Sequence, residues 1–423
     1  MNPQAIKSMR LKNFKAIRDT GEIEFAPFTV LIGNNGSGKS SLIEGLETFQ
    51  TIVERGLDEA MNRWRGIENI RNRAAVLSTS EAEEEATDVE EPPDETDYVA
   101  QYGHADEEAE APQDVGFAPI SFLFSQETTD GIVSFEVDIN SSPNADALFI
   151  EIEKVRLNAT ILQQRIKSGL LLVPAREDKL RDFQNGESLF SEIDSVPLEG
   201  KLFAQAIKRW QFALLNPDAM VNPVPRTRTG KEIRLTRNGS NIAEYLLDIR
   251  LYDAANGTTI FDDIVDTLRY VLPYAEDLQP NVTSELERSA YLQLTEGEFK
   301  VPGWLLSSGT LRIVALLALL RHPQPPPLIV IEEIENGLDP RTINLIMQEI
   351  MEITESGKSQ VIVTTHSPYL LDLIPLENII VVERIDGQPI FFRPSDDESM
   401  RKWSESFTPG TLYTMSQLTR RSE

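Results

Sequence analysis

The hydrophobic positions near the amino terminus form short runs that are followed by a helical repeat. Residues 9–14, 22–25 and 28–32 are apolar or alternate between apolar and polar side chains, which is typical of β-strands. Residues 40–53 place apolar side chains at the three- and four-residue spacing of an amphipathic helix. The pattern predicts strands, a glycine-containing loop and a helix in direct succession.

The middle of the chain changes from strand-like to helix-like spacing. Residues 120–124, 132–139 and 147–155 predict strands of an antiparallel layer, and residues 169–173 predict another short strand. From about 186 to 290 the spacing becomes helical, which indicates an inserted, mainly helical lobe. The helices predicted in this lobe are residues 202–215, 242–254 and 261–271.

The carboxyl-terminal part returns to strands that alternate with helices, and the first of these strands is fully apolar. Strands are predicted at residues 328–331 and 360–364, and helices after Ser308 and at residues 342–354. Apolar strands alternating with helices indicate a sheet that is covered on both faces. We therefore expect an α/β sandwich with a mostly parallel core sheet, an antiparallel layer and an inserted helical lobe.

Composition excludes several kinds of site. The chain has no cysteine and three histidines, which rules out disulfides and thiolate zinc sites and leaves little for a histidine metal cluster. Mg²⁺ held by oxygen ligands remains open. No apolar run approaches the ~20 residues needed to span a bilayer, and the first residues do not resemble a signal peptide. We expect a soluble, cytoplasmic protein without a membrane partner.

The net charge of −28 is concentrated in one stretch of the chain. Positions 74–153 contain 22 acidic residues and no Lys or Arg, and the rest of the chain contains 46 acidic and 40 basic residues. Residues 80–114 are too charged to bury a core, so we predict a disordered acidic insertion. A solvated linker is the simpler interpretation, and a regulatory or DNA-mimicking segment is the alternative.

A phosphate-binding motif lies between the predicted strand 28–32 and the helix 40–53. Gly33 to Ser40 match G-x-x-x-x-G-K-[ST], whose backbone N–H groups wrap around phosphates. In such a loop Lys39 reaches the terminal phosphates and Ser40 holds Mg²⁺. The residues that we expect to bind the nucleotide here are Asn34, Asn35, Gly36, Ser37, Gly38, Lys39, Ser40 and Ser41.

Two carboxylates follow the apolar strand 328–331. We expect Glu332 to anchor Mg²⁺ or its water shell, and Glu333 to orient and polarise the water that attacks the γ-phosphate. The alternative is a pair of glutamates that only stabilise a helix amino terminus.

Three further segments resemble motifs of the ABC ATPases. Residues 306–310 (LSSGT) resemble the signature loop, 335–340 (ENGLDP) the D-loop and 365–367 (THS) the switch histidine segment. With the phosphate loop and the two glutamates, their order is similar to that of the RecF-like and SMC-like branch, including bacterial proteins of the overcoming-lysogenization-defect kind. The resemblance covers residues 6–50 and 304–385 well, and extends weakly to 171–176 and 237–242.

The resemblance implies a site shared by two copies of the chain. Ser307, Ser308 and Gly309 would meet the γ-phosphate bound by the partner copy, and Asp339 would lie near the seam. His366 would contact the γ-phosphate. The alternative for Ser308 is a helix N-cap. Glu332 stands where Asp is usual in the family, and Gln126 is a candidate lid residue by position only.

The resemblance also divides the chain. The predicted segments are 1–79 with the phosphate loop, 80–114 the acidic insertion, 115–185 the antiparallel layer and a core strand, 186–300 the lobe, 301–393 the second part of the ATPase core, and 394–423 a tail.

The function implied is an ATP hydrolase that forms a homodimer or a larger assembly. Relatives of this compact kind serve in DNA repair or antiviral defence, often beside an effector such as a nuclease. Basic residues at 226–237 could contact double-stranded DNA, or form a solvated strand that balances the acidic insertion. The alternative function is an ATP-stabilised scaffold that sequesters an effector with little turnover, with apolar residues of the tail as a docking segment.

Overall fold

The computed structural model describes residues 5–74, 117–142, 147–166, 171–172, 198–227, 232–283 and 288–419. In these residues three β-sheets are flanked by helices. The predicted α/β class, with a mostly parallel core sheet and an antiparallel layer, is confirmed. The acidic insertion 80–114 lies outside the described residues.

The core sheet brings together strands from both ends of the chain. Its order is β10-β15-β16-β4-β17-β18, and all neighbours are parallel except the final hairpin. Its strands are β4 Phe28–Ile32, β10 Gln211–Ala213, β15 Leu328–Ile331, β16 Gln360–Thr364, β17 Ile379–Ile385 and β18 Gln388–Phe392.

The core sheet is covered on both faces, as its uninterrupted apolar strands predict. Along β4, Val30 and Ile32 join one hydrophobic cluster while Leu31 joins the other. Because successive side chains of a strand point to opposite faces, each cluster packs on one face of the sheet. Because β10, β15, β16, β4 and β17 run parallel, their carboxyl ends meet at a single edge of the sheet.

An antiparallel sheet forms the second layer, against one of these clusters. Its order is β2-β1-β5-β6-β7-β8-β9, and β3 also pairs with β1. Its strands are β1 Ser8–Phe14, β2 Ile17–Asp19, β3 Ile23–Glu24, β5 Ile120–Thr128, β6 Gly131–Ser141, β7 Leu148–Leu157, β8 Thr160–Ile166 and β9 Leu171–Leu172.

The other face is covered by a small sheet and by the helices from residue 217 onward, while the helices within residues 39–64 and 198–208 pack between the core sheet and the antiparallel sheet. The small sheet has the order β11-β13-β12, with β14 beside β13. Its strands are β11 Val224–Pro225, β12 Asp277–Val282, β13 Ser289–Glu296 and β14 Phe299–Pro302. Numbered over the described residues, the helices are α1 Lys39–Arg55, α2 Leu57–Trp64, α3 Leu198–Lys208, α4 Pro217–Met220, α5 Ile242–Asn256, α6 Ile260–Val271, α7 Ser308–Leu320, α8 Pro340–Glu355, α9 Pro368–Leu371, α10 Glu398–Ser404 and α11 Pro409–Thr414.

The predicted lobe 186–300 contains strands as well as helices. A single helix over 202–215 is wrong, because the helix ends at Lys208 and β10 then joins the core sheet beside β15. The small sheet was missed by the hydrophobic pattern. The lobe's limits remain a prediction, since residues 186–197 are outside the described part of the chain.

The carboxyl-terminal tail packs on the protein's own core. Leu412 and Leu418 are buried in the cluster beside the core sheet, and Trp403 and Tyr413 pack against it. The tail's apolar residues are therefore explained by folding, with Phe407 left exposed. This removes the observation that favoured a free docking segment.

Candidate functional site

The loop between β4 and α1 is held closely against the β17–β18 hairpin. Gly38 has φ 117°, and a Cβ placed there would lie 2.7 Å from the Pro389 side chain. A Cβ at Gly33 would lie 2.1 Å from the carbonyl oxygen of Val382. Only glycine fits these two positions, so the loop keeps its backbone exposed at the carboxyl edge of the core sheet.

The lysine of this loop is buried and bound to the loop itself. Lys39 Nζ donates to the carbonyl oxygens of Gly33 at 2.6 Å and Asn34 at 3.1 Å. Burial lowers the pKa of Lys39, while the charges of Glu333 and Glu335 oppose this shift. An ammonium group that is partly desolvated beside backbone N–H groups is suited to bind an anion.

A buried hydroxyl faces into the same loop. Ser37 Oγ is buried and has no hydrogen-bond partner among the described residues. Buried polar atoms are almost always paired, so a group that accepts or donates a hydrogen bond there fits the site. Asn34, Asn35 and Gly36 are exposed on the outer side of the turn.

Glu332 stands directly after β15 at the carboxyl edge of the sheet. Its backbone N–H donates to the Ala213 carbonyl at 2.8 Å, and its Oε1 accepts from Arg237 at 2.5 Å. Burial raises the pKa of Glu332, while the Arg237 hydrogen bond acts in the opposite direction. Glu44 and Glu47 are close enough to raise it further, which places Glu332 beside the face of α1 that carries them.

The donor set around Glu332 suits Mg²⁺ better than a metal that needs several protein ligands. Ser40 lies four residues before Glu44, on the same face of α1, and its side chain is exposed. In the described part of the chain, no three His, Asp or Glu side chains are grouped to hold a metal. Mg²⁺ keeps several waters and uses one or two protein oxygens, so a hydroxyl and a carboxylate fit it.

Glu333 is exposed and held in an unusual backbone conformation. Its φ is 52°, and its N–H donates to the Thr364 hydroxyl at 2.9 Å. Its carboxylate accepts from the Asn336 amide and acts electrostatically on Lys39 and Arg312. A left-handed conformation is costly for a glutamate and is typical of positions where the side chain must face a site.

His366 follows β16, the strand between β4 and β15. Its backbone N–H donates to Glu335 Oε1 at 2.6 Å. Burial and the charge of Lys39 lower the pKa of its imidazole against the opposing charges of Glu335 and Glu333, which favours the neutral form. The structure therefore brings His366, Lys39 and Glu333 to one edge of the core sheet, within electrostatic range of each other.

The predicted signature loop opens helix α7. The N-cap is Ser307, whose Oγ accepts from Thr310 N at 3.1 Å. The alternative in which Ser308 is the cap is wrong, because Ser308 is the first helical residue. Ser307 and Ser308 are exposed, and a Cβ at Gly309 would lie 2.8 Å from the Gly337 carbonyl oxygen. The signature and D-loop segments thus touch within one copy.

Asp339 has a structural role in this copy. Its carboxylate accepts from the N–H groups of Arg341 and Thr342 and from the Thr342 hydroxyl. The hydroxyl of Thr342 is the first cause that lowers the pKa of Asp339. Asp339 therefore caps α8, and its predicted contact across a seam remains a prediction.

A cavity next to the β17–β18 hairpin was missed by sequence reasoning. It has a volume of about 410 Å³ and its lining includes Lys15, Arg71, Asn72 and Gln388. Gln388 is adjacent to Pro389, which packs against Gly38. No motif marks these residues, because β1–β2, the segment after α2 and the β17–β18 hairpin meet only in the folded chain.

Gln126 does not lie near the phosphate loop. It is buried in β5 next to Ser125, whose carbonyl accepts from Lys7 N. The adjoining Ile6 N donates to Gln360, the first residue of β16. Gln126 is thus near the edge where the core strands begin, opposite the loop, and its assignment as a lid residue is wrong.

The basic stretch 226–237 does not form the predicted solvated strand in its described residues. Its described residues after Pro225 lie outside strands. Arg234 pairs with Glu54 and Glu232, and Arg237 pairs with Glu47 and Glu332. Two of the five basic residues are therefore engaged within the fold, while Arg228 and Lys231 lie outside the described residues.

The chain was compared with known families and structures. The family model AAA_21, described as "AAA domain, putative AbiEii toxin, Type IV TA system", matches residues 28–372. A search of curated proteins found no significant match. Within the described part of the chain, every helix falls short of the length or hydrophobicity needed to cross a bilayer.

Two solved structures share this fold. One is an Smc head bound to the C-winged helix domain of ScpA, with a TM-score of 0.53 and 15% identity, covering 92% of this chain and 96% of that chain. The other is an Smc head domain with an extended coiled coil bound to the C-terminal domain of ScpA, derived from Pyrococcus furiosus. Its TM-score is 0.51 at 14% identity, covering 95% of this chain and 98% of that chain.

Proposed function

This chain belongs to the AAA_21 family of ABC-like P-loop ATPases, and we propose that it hydrolyses ATP with Mg²⁺ to drive a conformational switch that controls an effector protein. One observation carries the catalytic part of the proposal. Lys39, Glu333 and His366 follow β4, β15 and β16, which are adjacent parallel strands, and so they lie at the one edge where the phosphate loop exposes its backbone. A loop, a base and a neutral imidazole at one edge are what phosphoryl transfer to water requires.

The phosphates would lie along residues 34–41, and Ser40 and Glu332 would hold Mg²⁺, which supplies charge to neutralise the phosphate oxygens. The cavity beside Lys15 and Gln388 has the volume for a nucleoside. The exposed backbone of the loop and the unpartnered Ser37 hydroxyl support this placement.

Glu333 is proposed as the residue that acts on water. Its carboxylate accepts a proton from the water as the water oxygen bonds to the γ-phosphorus. The bond from the γ-phosphorus to the bridging oxygen breaks, that oxygen leaves with ADP, and inorganic phosphate is released. The neutral His366 donates a hydrogen bond to a γ-phosphate oxygen.

A second copy of the chain would complete the site. Ser307 and Ser308 are exposed at the amino terminus of α7, where free N–H groups and the helix dipole favour an anion. The Ser307 hydroxyl caps α7. Both serines are exposed, which leaves them accessible to the γ-phosphate bound by a partner copy.

An effector protein is favoured over DNA as the partner. Arg234 and Arg237 are used inside the fold, which weakens the basic stretch as a DNA surface. The two similar Smc heads are each bound to a protein domain, and a protein partner for this chain agrees with that. A role in antiviral defence or DNA repair remains part of the proposal.

ATP turnover of the wild type, Lys39→Ala and Glu333→Gln tests the proposal, with mass recorded in solution and with double-stranded DNA present or absent. We expect turnover that both substitutions abolish and an ATP-trapped dimer or larger assembly for Glu333→Gln. A wild type with neither ATP turnover nor an ATP-dependent change in mass would disprove the proposal. Negligible turnover with an ATP-stabilised assembly would favour the scaffold that holds an effector, and stimulation by DNA would favour a DNA-linked switch.

A further inference from the structure

The segment 234–241 is a loop that the fold holds tightly at the carboxyl edge of the core sheet. The side chain of Asn241, the last residue of the segment, is hydrogen-bonded to its beginning. Its Oδ1 accepts from Thr236 N at 2.8 Å, and its Nδ2 donates to the Arg234 carbonyl at 2.8 Å. The Arg237 carbonyl accepts from Leu214 N at 2.7 Å, directly after β10. The backbone of Arg237 is therefore fixed next to the strand that pairs with β15.

Gly239 locks the same loop against the core. Its φ is 77°, and a Cβ there would lie 3.0 Å from Met220 Sδ and 3.1 Å from Leu215 Cδ2. Leu235, at the other side of Arg237, is 2% exposed. A loop anchored on both sides of one arginine presents that side chain in a set direction.

The guanidinium of Arg237 joins two carboxylates from different elements. It donates to Glu332 Oε1 at 2.5 Å and to Glu47 Oε2 at 3.0 Å. The side chains of both glutamates are 10% exposed. Charge-assisted bonds between largely buried groups fix geometry more firmly than surface pairs do.

We propose that Arg237 is a positioning residue that orients the Glu332 carboxylate for Mg²⁺ and ties the segment 234–241 to the metal site. The bond to Oε1 leaves Oε2 for the metal or its water, and the bond to Glu47 sets Arg237 against α1, the helix that carries Ser40. One guanidinium thus fixes the position of Glu332 relative to α1, and Glu332 and Ser40 are the two residues that would hold Mg²⁺. This inference rests on the proposed function.

Arg63 offers a matched control. It also pairs with Glu47, at 2.7 Å, but forms no ion pair with Glu332 among those that the structure describes. Arg63→Gln and Arg237→Gln remove the same charge from the same neighbourhood. Only Arg237→Gln releases the Glu332 carboxylate.

The experiment is equilibrium binding of a fluorescent ATP analogue at increasing Mg²⁺, with folding checked by circular dichroism. We expect Arg237→Gln to raise the half-saturating Mg²⁺ concentration about ten-fold or more, as for other residues that orient metal ligands. Arg63→Gln should stay within about two-fold of wild type, since its loss leaves both Glu332 oxygens in place. Arg237→Lys should fall between, because it keeps the charge but loses the two-pronged geometry.

The outcomes separate this inference from the proposed function. An unchanged or lower half-saturating Mg²⁺ concentration in Arg237→Gln overturns the positioning role, and so does an equal rise in Arg63→Gln. If Arg237→Gln does not fold, Arg237→Lys decides, since wild-type Mg²⁺ dependence in that variant contradicts the need for a guanidinium. A wild type that shows no Mg²⁺-dependent binding refutes the proposed function instead.

Discussion

Asp138 in β6 shows how one residue links burial to pH. Its carboxylate accepts a hydrogen bond from Ser121, yet its Oδ1 is buried without a partner among the described residues. Burial, opposed by Ser121 and reinforced by the charge of Glu136, raises the pKa of Asp138 to about 6. The folded protein therefore holds this proton at a pH where the unfolded chain has released it.

The sign of the resulting stability change follows from proton binding. Between the unfolded value near 3.9 and the folded value of about 6, the native state binds more protons, so stability falls as pH rises through this window. Ionisation of Asp138 should therefore lower the free energy of unfolding by about 1.4 kcal/mol between pH 5 and pH 7.5. Asp138→Asn should remove this contribution.

Urea denaturation of the wild type and Asp138→Asn at pH 5 and pH 7.5 measures this effect. We expect the difference between the two proteins to grow in favour of the variant as pH rises. An identical pH dependence in both would mean that Asp138 is ionised in the folded state throughout.

At the scale of elements, α8 depends on one cap. Asp339 accepts three hydrogen bonds from the first turn of this helix. Asp339→Ala should cost about 1 kcal/mol of unfolding free energy, whereas Asp339→Asn should keep most of the cap. Thermal denaturation of the three proteins checks the capping role.

The same pair of variants separates capping from a role at the dimer seam. If Asp339 acts only as a cap, ATP turnover should fall in Asp339→Ala and be retained in Asp339→Asn. Equal losses in both variants, with Asp339→Asn of wild-type stability, would assign the carboxylate a contact with the second copy.

The elements that the sequence could predict are those with an unambiguous period. Strand 328–331 is wholly apolar, strand 360–364 has three β-branched apolar residues between Gln360 and Thr364, and the structure has β15 and β16 at those positions. β10 was missed because its three residues follow a helix and continue an apolar spacing that suits either structure. β12 contains Pro280, which lowers its strand signal.

The candidate site was predictable where a motif is local in sequence. The phosphate loop and Glu332–Glu333 are contiguous patterns with known chemistry. Arg237 was not foreseen, because its partners Glu332 and Glu47 are 95 and 190 positions away and no local pattern pairs them. The prediction that Gln126 is a lid residue was wrong because it rested on order along the chain alone. That order does not show at which edge of the core sheet a residue lies.

At the scale of the whole molecule, exposed apolar residues flank the signature loop. Trp304 is 51% exposed and Leu305 is 69% exposed, directly before the signature loop 306–310. Exposed apolar groups beside a shared site favour association with a second copy. We expect Trp304→Ser with Leu305→Ser to weaken the ATP-dependent dimer of Glu333→Gln by about ten-fold, in line with loss of ~1.4 kcal/mol or more at an interface.

Sedimentation of Glu333→Gln with ATP, with and without these substitutions, measures the change. Leu251→Ser is the control, because Leu251 is 46% exposed on α5, away in sequence from the loop. Equal dimerisation in all three proteins would place the contact elsewhere, while equal weakening by Leu251→Ser would indicate a general effect of surface polarity.

The order of strands in the core sheet also bears on how the chain is made. β4 leads into the phosphate loop, yet its neighbours in the sheet are β16 and β17, which come from the opposite end of the sequence. During synthesis, β4 and Lys39 are made more than 300 residues before β16 and β17, so β4 has no neighbour in the core sheet until residues 360–385 have been added. The sheet that supports the phosphate loop therefore depends on pairing between segments that are far apart in sequence, which is slow to form and leaves an apolar strand exposed to aggregation during synthesis.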